Sequence, residues 1–316
     1  MTRKLSVIPN FVIAGAMKCG TTSLHAALEQ HPDVSLPEGE VQLLSIDDFV
    51  ENPVFSPCVE GEWVHQDFDR FFDEYCNWHA ARHRNAKSGQ ILGEDAPTYL
   101  SSPIAMARMS ELMPDTKIIV ALRDPVVRTI SHYWHLVRSG RVDLPLEELL
   151  CRTPALLLKR SMYLRQLELL FSYFDRAQVH IVLLEQLMRD PQKVMVEIFR
   201  FLGVRENIDY VPVHANAGMF PKRFRMTLYR NRLLGHKHGR QYFKTGPRMS
   251  EAPKHSGLER ILERFFYHFA PMNQPRPPVV VSENTTEFLS NVLFRENRGL
   301  DQLVEMRLAD WWPNWR

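Results

Sequence analysis

The chain has 316 residues, of which 45% are apolar and 24% are charged, and its formal net charge is +2. This length is sufficient for one large α/β domain or two small ones. The near balance of charge gives no electrostatic reason to expect nucleic acid or a membrane surface as a partner. No apolar run approaches the roughly 20 residues that span a bilayer, and no signal-like stretch follows the basic N-terminus. We therefore expect a cytoplasmic protein.

The cysteines are scattered along the chain, at Cys19, Cys58, Cys76 and Cys151. Because they form no C-x-x-C pair, the sequence predicts neither a zinc site nor a disulfide framework. No other cluster of metal-ligating residues is visible, so we expect no metal.

The first predicted elements are a buried strand over residues 11–14, a loop with two glycines, and a helix that Pro32 ends. Strand, glycine loop and helix together present backbone N–H groups and a helix N-terminus to an anion. An ATP-binding P-loop would carry Lys directly after the second glycine. In this chain Thr21 stands there, and the lysine lies inside the loop. The pattern predicts a phosphate site, with an ordinary glycine turn as the alternative. Its candidate residues are Lys18, Cys19, Gly20, Thr21, Thr22 and Ser23.

The run over residues 18–24 resembles the 5′-phosphosulfate loop of sulfotransferases that use 3′-phosphoadenosine 5′-phosphosulfate (PAPS). It is most similar to bacterial members and to the carbohydrate sulfotransferase branch. The resemblance implies an enzyme of EC 2.8.2 type that moves a sulfuryl group from PAPS to an acceptor and releases 3′,5′-ADP. It also implies an α/β fold, a three-layer P-loop-type domain with a central, mostly parallel sheet flanked by helices. In such an enzyme Lys18 would also serve catalysis.

Two carboxylates are candidates for the catalytic base. Glu40 stands where the family has the Glu of a Lys-Glu pair, but Gly39 replaces the Lys and the aromatic run that follows is lost. Asp95 stands where carbohydrate-acting members often carry Lys, and it is the second candidate. The loss of both positive charges favours a neutral or cationic small acceptor, such as a secondary metabolite, over a polyanionic glycan. Without a catalytic role, Glu40 would be a solvated loop acid and Asp95 a helix cap.

Histidines are further alternatives for the base, because a His base occurs in another sulfotransferase branch. The candidates are His25, His65, His132 and His135. The sequence does not decide between a hydroxyl and an amine nitrogen as the acceptor group.

The second motif follows a buried strand over residues 117–122, where Asp124 and Pro125 begin a helix. In the family, an Arg at this strand end and a Ser eight positions later bind the 3′-phosphate of the cofactor. Arg123 and Ser131 keep that spacing, although each could be structural alone. The same strand could also pass for the Walker-B strand of an ATP-dependent kinase, with Asp124 on Mg²⁺. An inactive nucleotide-binding homologue is the other alternative function.

A third buried strand over residues 179–184 and the helix after it complete a βα alternation that predicts a doubly wound parallel sheet. Ligands would then bind at the carboxyl ends of its strands. Residues 211–250 carry nine basic and no acidic residues. By resemblance this is a basic loop over the cofactor, with Lys222 and Arg223 as candidate contacts.

We expect a single sulfotransferase domain over residues 1–316, with a lid-like segment at about 214–256 and C-terminal helices within 283–316. The expected partner is a small-molecule acceptor, without nucleic acid or membrane. A homodimer stays open.

Overall fold

The computed structural model describes residues 8–45, 48, 58–59, 62–63, 68–208, 210–211, 219–238, 257–278 and 281–315. The strands are β1 (Phe11–Gly15), β2 (Val34–Ser35), β3 (Cys58–Val59), β4 (Glu62–Trp63), β5 (Ile91–Asp95), β6 (Lys117–Leu122), β7 (Val179–Leu183), β8 (Phe220–Pro221) and β9 (Met272–Gln274). The helices are α1 (Thr21–Glu29), α2 (Phe68–Arg82), α3 (Pro103–Leu112), α4 (Pro125–Arg138), α5 (Leu146–Arg152), α6 (Pro154–Leu158), α7 (Tyr163–Tyr173), α8 (Leu184–Arg189), α9 (Pro191–Leu202), α10 (Phe224–His238), α11 (Gly257–Phe269), α12 (Glu283–Glu296) and α13 (Leu300–Val304).

The central sheet has five parallel strands in the order β2-β5-β1-β6-β7. Strands of such a sheet are covered on both faces and therefore read as continuous apolar runs. This explains why β1, β6 and β7 were evident in the sequence. The predicted α/β fold, with a parallel sheet flanked by helices, is confirmed.

Two apolar clusters hold the layers together. The larger one includes β1, β6 and β7, the helices α1, α3, α7 and α9, and the C-terminal Trp312, which is fully buried. The smaller one joins α4 to α5, α6, α10 and α12, with Trp134 at its centre. Helix α4 contributes buried side chains to this cluster from Val126 to Val137, so the cluster supports it over most of its length.

The start of α4 is fixed by its own cap and by the C-terminal tail. Asp124 Oδ1 accepts hydrogen bonds from the N–H groups of Val126 (2.8 Å) and Val127 (3.1 Å). Asp124 Oδ2 accepts from Nδ2 (2.9 Å) and the backbone N–H (3.2 Å) of Asn314. Glu185 accepts from the Asp124 N–H and from Trp312 Nε1–H, both at 3.1 Å. The predicted Asp-Pro helix start is therefore confirmed, and the tail packs on the carboxyl ends of β6 and β7.

The predicted lid-like segment at about 214–256 is described only in part. Its helix α10 covers Phe224–His238, whereas residues 214–218 and 239–256 lie outside the described residues. The helices α12 and α13 occupy the range in which C-terminal helices were expected. The single-domain assignment stays a prediction. Within the described ranges, no helix combines the length and the apolar character that crossing a membrane requires.

Candidate active site

The loop over residues 16–20, between β1 and α1, is called the phosphate loop for its predicted role, and it leaves the N-terminus of α1 without a side-chain cap. Gly20 occupies the N-cap position with a φ of 89°, in the left-handed region. Because glycine has no side chain, it cannot cap the helix with one. Lys18 also has a positive φ, of 71°. Uncapped N–H groups at a helix start are the groups that a bound anion satisfies. The loop therefore has the backbone geometry expected of a phosphate site.

A chain of contacts ties this loop to the end of β6. The Ala16 N–H donates to the carbonyl of Ala121 at 2.7 Å. The Sγ atom of Cys19 lies 3.5 Å from the Tyr163 hydroxyl, which donates to the Arg123 carbonyl at 2.9 Å. Burial raises the pKa of the Cys19 thiol to about 11, so the thiol is neutral and packs inward. Lys18 and Arg123 are thereby brought to one edge of the sheet.

Lys18 lies among other cations. Burial lowers its pKa first, the positive charge of Arg138 lowers it further, and Arg128 and Arg123 act in the same direction. Glu40 acts in the opposite direction. Several cations that repel one another in a half-buried site favour a bound anion, because an anion relieves their repulsion.

Arg128 holds the phosphate loop in place through a hydrogen bond to its backbone. Its side chain is fully buried, at 0% exposure. Its Nε donates to the Met17 carbonyl at 3.1 Å, and its Nη1 donates to the Leu157 carbonyl (3.1 Å) and to Ser161 Oγ (2.9 Å). Its buried Nη2 has no hydrogen-bond partner in the described part of the chain. The uncapped helix, this spare donor and the cation cluster together fit a phosphorylated ligand.

Sequence reasoning missed Arg128 and Arg138. Arg138 lies seven positions after Ser131 on α4, so the two share a helix face. That spacing is a signal that could have pointed to Arg138. No comparable signal marks Arg128, because a buried arginine cannot be told from an exposed one by spacing.

The acceptor side of the site brings Glu40, Asp95 and His25 together. The Val41 N–H donates to the Asp95 carbonyl at 2.7 Å and ties the Glu40 loop to the end of β5. His25 Nδ1 lies 3.1 Å from Asp95 Oδ2. Asp95 is 3% exposed, and burial raises its pKa while the hydrogen bond with His25 opposes this. Asp95 is therefore held by His25 and does not cap a helix.

Glu40 lies on the loop after β2 and is an exposed residue. Desolvation of the carboxyl group raises its pKa to about 7, and the negative charge of the neighbouring Asp95 acts in the same direction. Lys18, His25 and Arg160 oppose this rise. A carboxyl group with a pKa near neutrality can take up a proton and lose it again under physiological conditions.

Arg82 stabilises the loop that precedes Glu40. Its Nη2 donates to the carbonyls of Pro37 (3.1 Å), Gly39 (3.3 Å) and Glu38. A guanidinium group thus stands beside the position where the family carries a Lys and this chain has Gly39. The sequence did not reveal it, because Arg82 lies about 40 residues further along the chain.

The other predicted site residues are placed as follows. Ser131 is half-buried on α4, and Lys222 and Arg223 are exposed just before α10. The adjoining strand β8 packs on α4 through Phe220 and Trp134, whose ring centroids are 5.3 Å apart. The roles of Ser131, Lys222 and Arg223 stay predictions.

The remaining histidine candidates differ in environment. His132 is buried, and burial holds its pKa well below its usual value. Burial also lowers the pKa of His135 to about 3, with Lys18 adding to the effect. Both are therefore neutral at physiological pH. His65 lies outside the described residues.

The kinase alternative is not favoured. It requires the Asp124 carboxylate to bind Mg²⁺, but both oxygens accept hydrogen bonds that fix the start of α4 and the C-terminal tail. In addition, Asp124 is 1% exposed. An aspartate with its oxygens occupied in this way is structural.

Comparison with known proteins gives consistent results. A model of the sulfotransferase family matches residues 9–207. Human heparan sulfate glucosamine 3-O-sulfotransferase 3B1 is 31% identical over 210 residues, which are 64% of this chain and 47% of that protein. The Drosophila melanogaster bifunctional heparan sulfate N-deacetylase/N-sulfotransferase is 25% identical over 290 residues, which are 84% of this chain and 25% of that protein. The chain spans about half the length of the human relative.

A solved structure shows the same fold. The sulfotransferase from Alicyclobacillus acidocaldarius superposes with a TM-score of 0.60 at 24% identity, over 96% of this chain and 99% of that one. The family match covers both the phosphate loop and the segment from Arg123 to Ser131. The chain therefore belongs to the sulfotransferase family.

Proposed function

We propose that the protein is a PAPS-dependent sulfotransferase that transfers a sulfuryl group to a hydroxyl or an amine nitrogen of a small-molecule acceptor. The observation that carries the proposal is the convergence of Lys18 and Arg123 at one sheet edge, with Glu40 beside Lys18. Membership of the sulfotransferase family supports it.

The donor side of the site matches a nucleotide that carries two separate phosphate groups. Lys18 and the N–H groups at the start of α1 would hold the 5′-phosphate end. Arg123 and Ser131 would hold the 3′-phosphate, because a guanidinium and a hydroxyl offer donors suited to phosphate oxygens. When bound, PAPS supplies the activated sulfuryl group, with 3′,5′-ADP as the leaving group. Lys18 then stabilises the negative charge that develops on the 5′-phosphate oxygens.

Glu40 is the proposed base. It faces Lys18, and its pKa of about 7 suits it to accept the proton of an acceptor hydroxyl or amine. Asp95, the second candidate, is buried and paired with His25, so its carboxylate is less accessible to an acceptor. The raised pKa of this carboxyl group is the feature that argues against an inactive homologue.

For the acceptor we propose a small neutral or cationic molecule. Asp95 stands where carbohydrate-acting members often carry Lys, and Gly39 stands where the family carries another Lys. Both features reduce the positive charge available to a polyanionic chain. The relatives named for heparan sulfate make such a glycan the competing acceptor to test.

The test has two parts. First, thermal-shift measurements compare 3′,5′-ADP with ATP and Mg²⁺, and we expect stabilisation by 3′,5′-ADP. Stabilisation by ATP and Mg²⁺ alone would support the kinase instead. Second, labelled PAPS is offered with a panel of small alcohols, small amines and a heparan-like chain. Preferred turnover of the heparan-like chain would reject the small-acceptor proposal, and loss of turnover in Glu40→Gln would support Glu40 as the base.

A further inference from the structure

His25 and Asp95 form a buried acid–imidazole pair beside the proposed base. His25 lies on α1, immediately behind the phosphate loop, and Asp95 ends β5. The two side chains are 8% and 3% exposed as whole residues. They lie 70 positions apart in the chain and meet because β1 and β5 are paired neighbours in the sheet.

The two ring nitrogens of His25 have different surroundings. Nδ1 lies 3.1 Å from Asp95 Oδ2. Nε2 makes no hydrogen bond to any described residue, and the His25 side chain is 10% exposed. Because a carboxylate accepts from an N–H, we assign the proton of the neutral ring to Nδ1. Nε2 then carries a lone pair that can accept a proton.

Glu40 lies next to this pair. The hydrogen bond from the Val41 N–H to the Asp95 carbonyl, at 2.7 Å, brings the residue after Glu40 onto the end of β5. The charged groups that face Glu40 are Asp95 from β5, Lys18 from the phosphate loop, His25 from α1, and Arg160 from the turn after α6. Of these, Asp95 already accepts the Nδ1–H of His25, and the neutral His25 ring offers the Nε2 lone pair as a proton acceptor.

We propose that His25 receives, from Glu40, the proton that the acceptor loses, and that Asp95 positions His25 for this step. The inference rests on the proposed sulfotransfer. As the acceptor oxygen or nitrogen bonds to sulfur and the bond from sulfur to the leaving oxygen breaks, the acceptor proton passes to a Glu40 oxygen. That proton then moves to Nε2 of His25, and the imidazolium keeps its Nδ1–H bond to the Asp95 carboxylate. Loss of the Nε2 proton to solvent restores both groups.

This arrangement explains why a carboxylate stands at position 95. A Lys at the end of β5 would repel a protonated His25 and could not accept its Nδ1–H. An aspartate accepts that hydrogen bond and stabilises the imidazolium. In this proposal Asp95 acts through His25 and is a positioning residue.

The first test does not require an acceptor. Nitrogen-15 NMR of the histidine rings in the full-length chain should show His25 with its proton on Nδ1, and Asp95→Asn should change that signal. Glu40→Gln should change the Nε2 signal while leaving the His132 signal in place. If the proton of the neutral His25 ring is on Nε2, or if neither substitution changes the His25 signal, the proposal is overturned even if sulfotransfer is confirmed.

The second test uses turnover with the acceptor found by the panel. His25→Asn keeps a donor for Asp95 but has no proton acceptor at the Nε2 position. We expect it to lower kcat by about 10- to 100-fold, with KM and the 3′,5′-ADP affinity unchanged, and we expect added imidazole to restore part of the rate. A structural role would not be rescued by imidazole. Unchanged kcat in His25→Asn refutes the relay, whereas a wild-type protein that transfers nothing refutes the proposed function.

Discussion

Gly20→Ala tests whether the phosphate loop depends on its left-handed glycine and on the packing around it. Gly20 has a φ of +89°, and a Cβ there would lie 2.5 Å from Leu184 Cδ1. Gly89 has a φ of +88° and nothing within 4 Å of its Cβ. Gly89→Ala is therefore a matched control that carries the backbone strain without the overlap.

The two substitutions share one energetic term and differ in another. A side chain in the left-handed region costs about 1–2 kcal/mol in either place. Overpacking typically adds about 1–3 kcal/mol. The other two Leu184 carbons within reach are 3.6 and 3.7 Å away, and the clashing methyl ends a flexible side chain. We therefore expect the low end of that range, about 1 kcal/mol of extra destabilisation for Gly20→Ala.

Urea unfolding and calorimetric binding of 3′,5′-ADP measure the two consequences. Gly20→Ala should lose about 1 kcal/mol more stability than Gly89→Ala, and Leu184→Ala should remove that difference in the Gly20→Ala background. The 3′,5′-ADP affinity should fall about tenfold, or about 1.4 kcal/mol, in Gly20→Ala and stay unchanged in the control. Equal losses of stability in the two variants, or no coupling to Leu184, would refute the reasoning.

Three other predictions concern charge. Turnover should rise as the pH increases through about 7, because Glu40 must be deprotonated to act as the base and its pKa is raised to about 7. A pH–rate profile checks this. An activity that does not fall as the pH is lowered below 6 would contradict it. Arg138→Met should weaken 3′,5′-ADP binding by about tenfold and raise the pKa of Lys18, since it removes a repelling charge. Calorimetry measures the affinity, and NMR titration measures the pKa. An unchanged pKa of Lys18 would show that Arg138 does not lie close enough to act on it. Burial raises the pKa of Glu94 from 4.5 to about 7. The folded chain therefore keeps a proton that the unfolded chain releases, and stability falls by on the order of 3 kcal/mol between those pH values. In Glu94→Gln the Tyr75 hydroxyl retains an acceptor, so the urea midpoint of the variant should fall less with rising pH than that of the wild type. An equal fall in the two proteins would contradict this prediction.

The parts of the fold that the sequence predicted are those with a local cause. Strands β1 and β6 are evident because a parallel strand covered on both faces must be apolar throughout. The start of α4 is evident because Asp124 and Pro125 supply a cap and a preset φ.

Two parts of the candidate site were only partly predicted. Asp95 was identified as a carboxylate near the acceptor, but its pairing with His25 was not, since 70 positions separate them. The charge lost at Gly39 was noted, whereas the Arg82 guanidinium beside it was not. A motif reports which residues are adjacent in the chain and carries no information on side chains that arrive from other elements.

The sequence by itself determined the strand–glycine loop–helix, the parallel sheet and the identity of the groups at its strand ends, because glycine spacing, apolar runs and helix caps act between near neighbours. Only the tertiary structure decided which charges face Lys18, which group holds Asp95, and that Asp124 is occupied by the C-terminal tail. These contacts join segments up to 190 positions apart. They depend on how the helices pack on the sheet. The pattern of residues along one helix shows that one of its faces is polar, but it does not show which side chains of other elements contact that face.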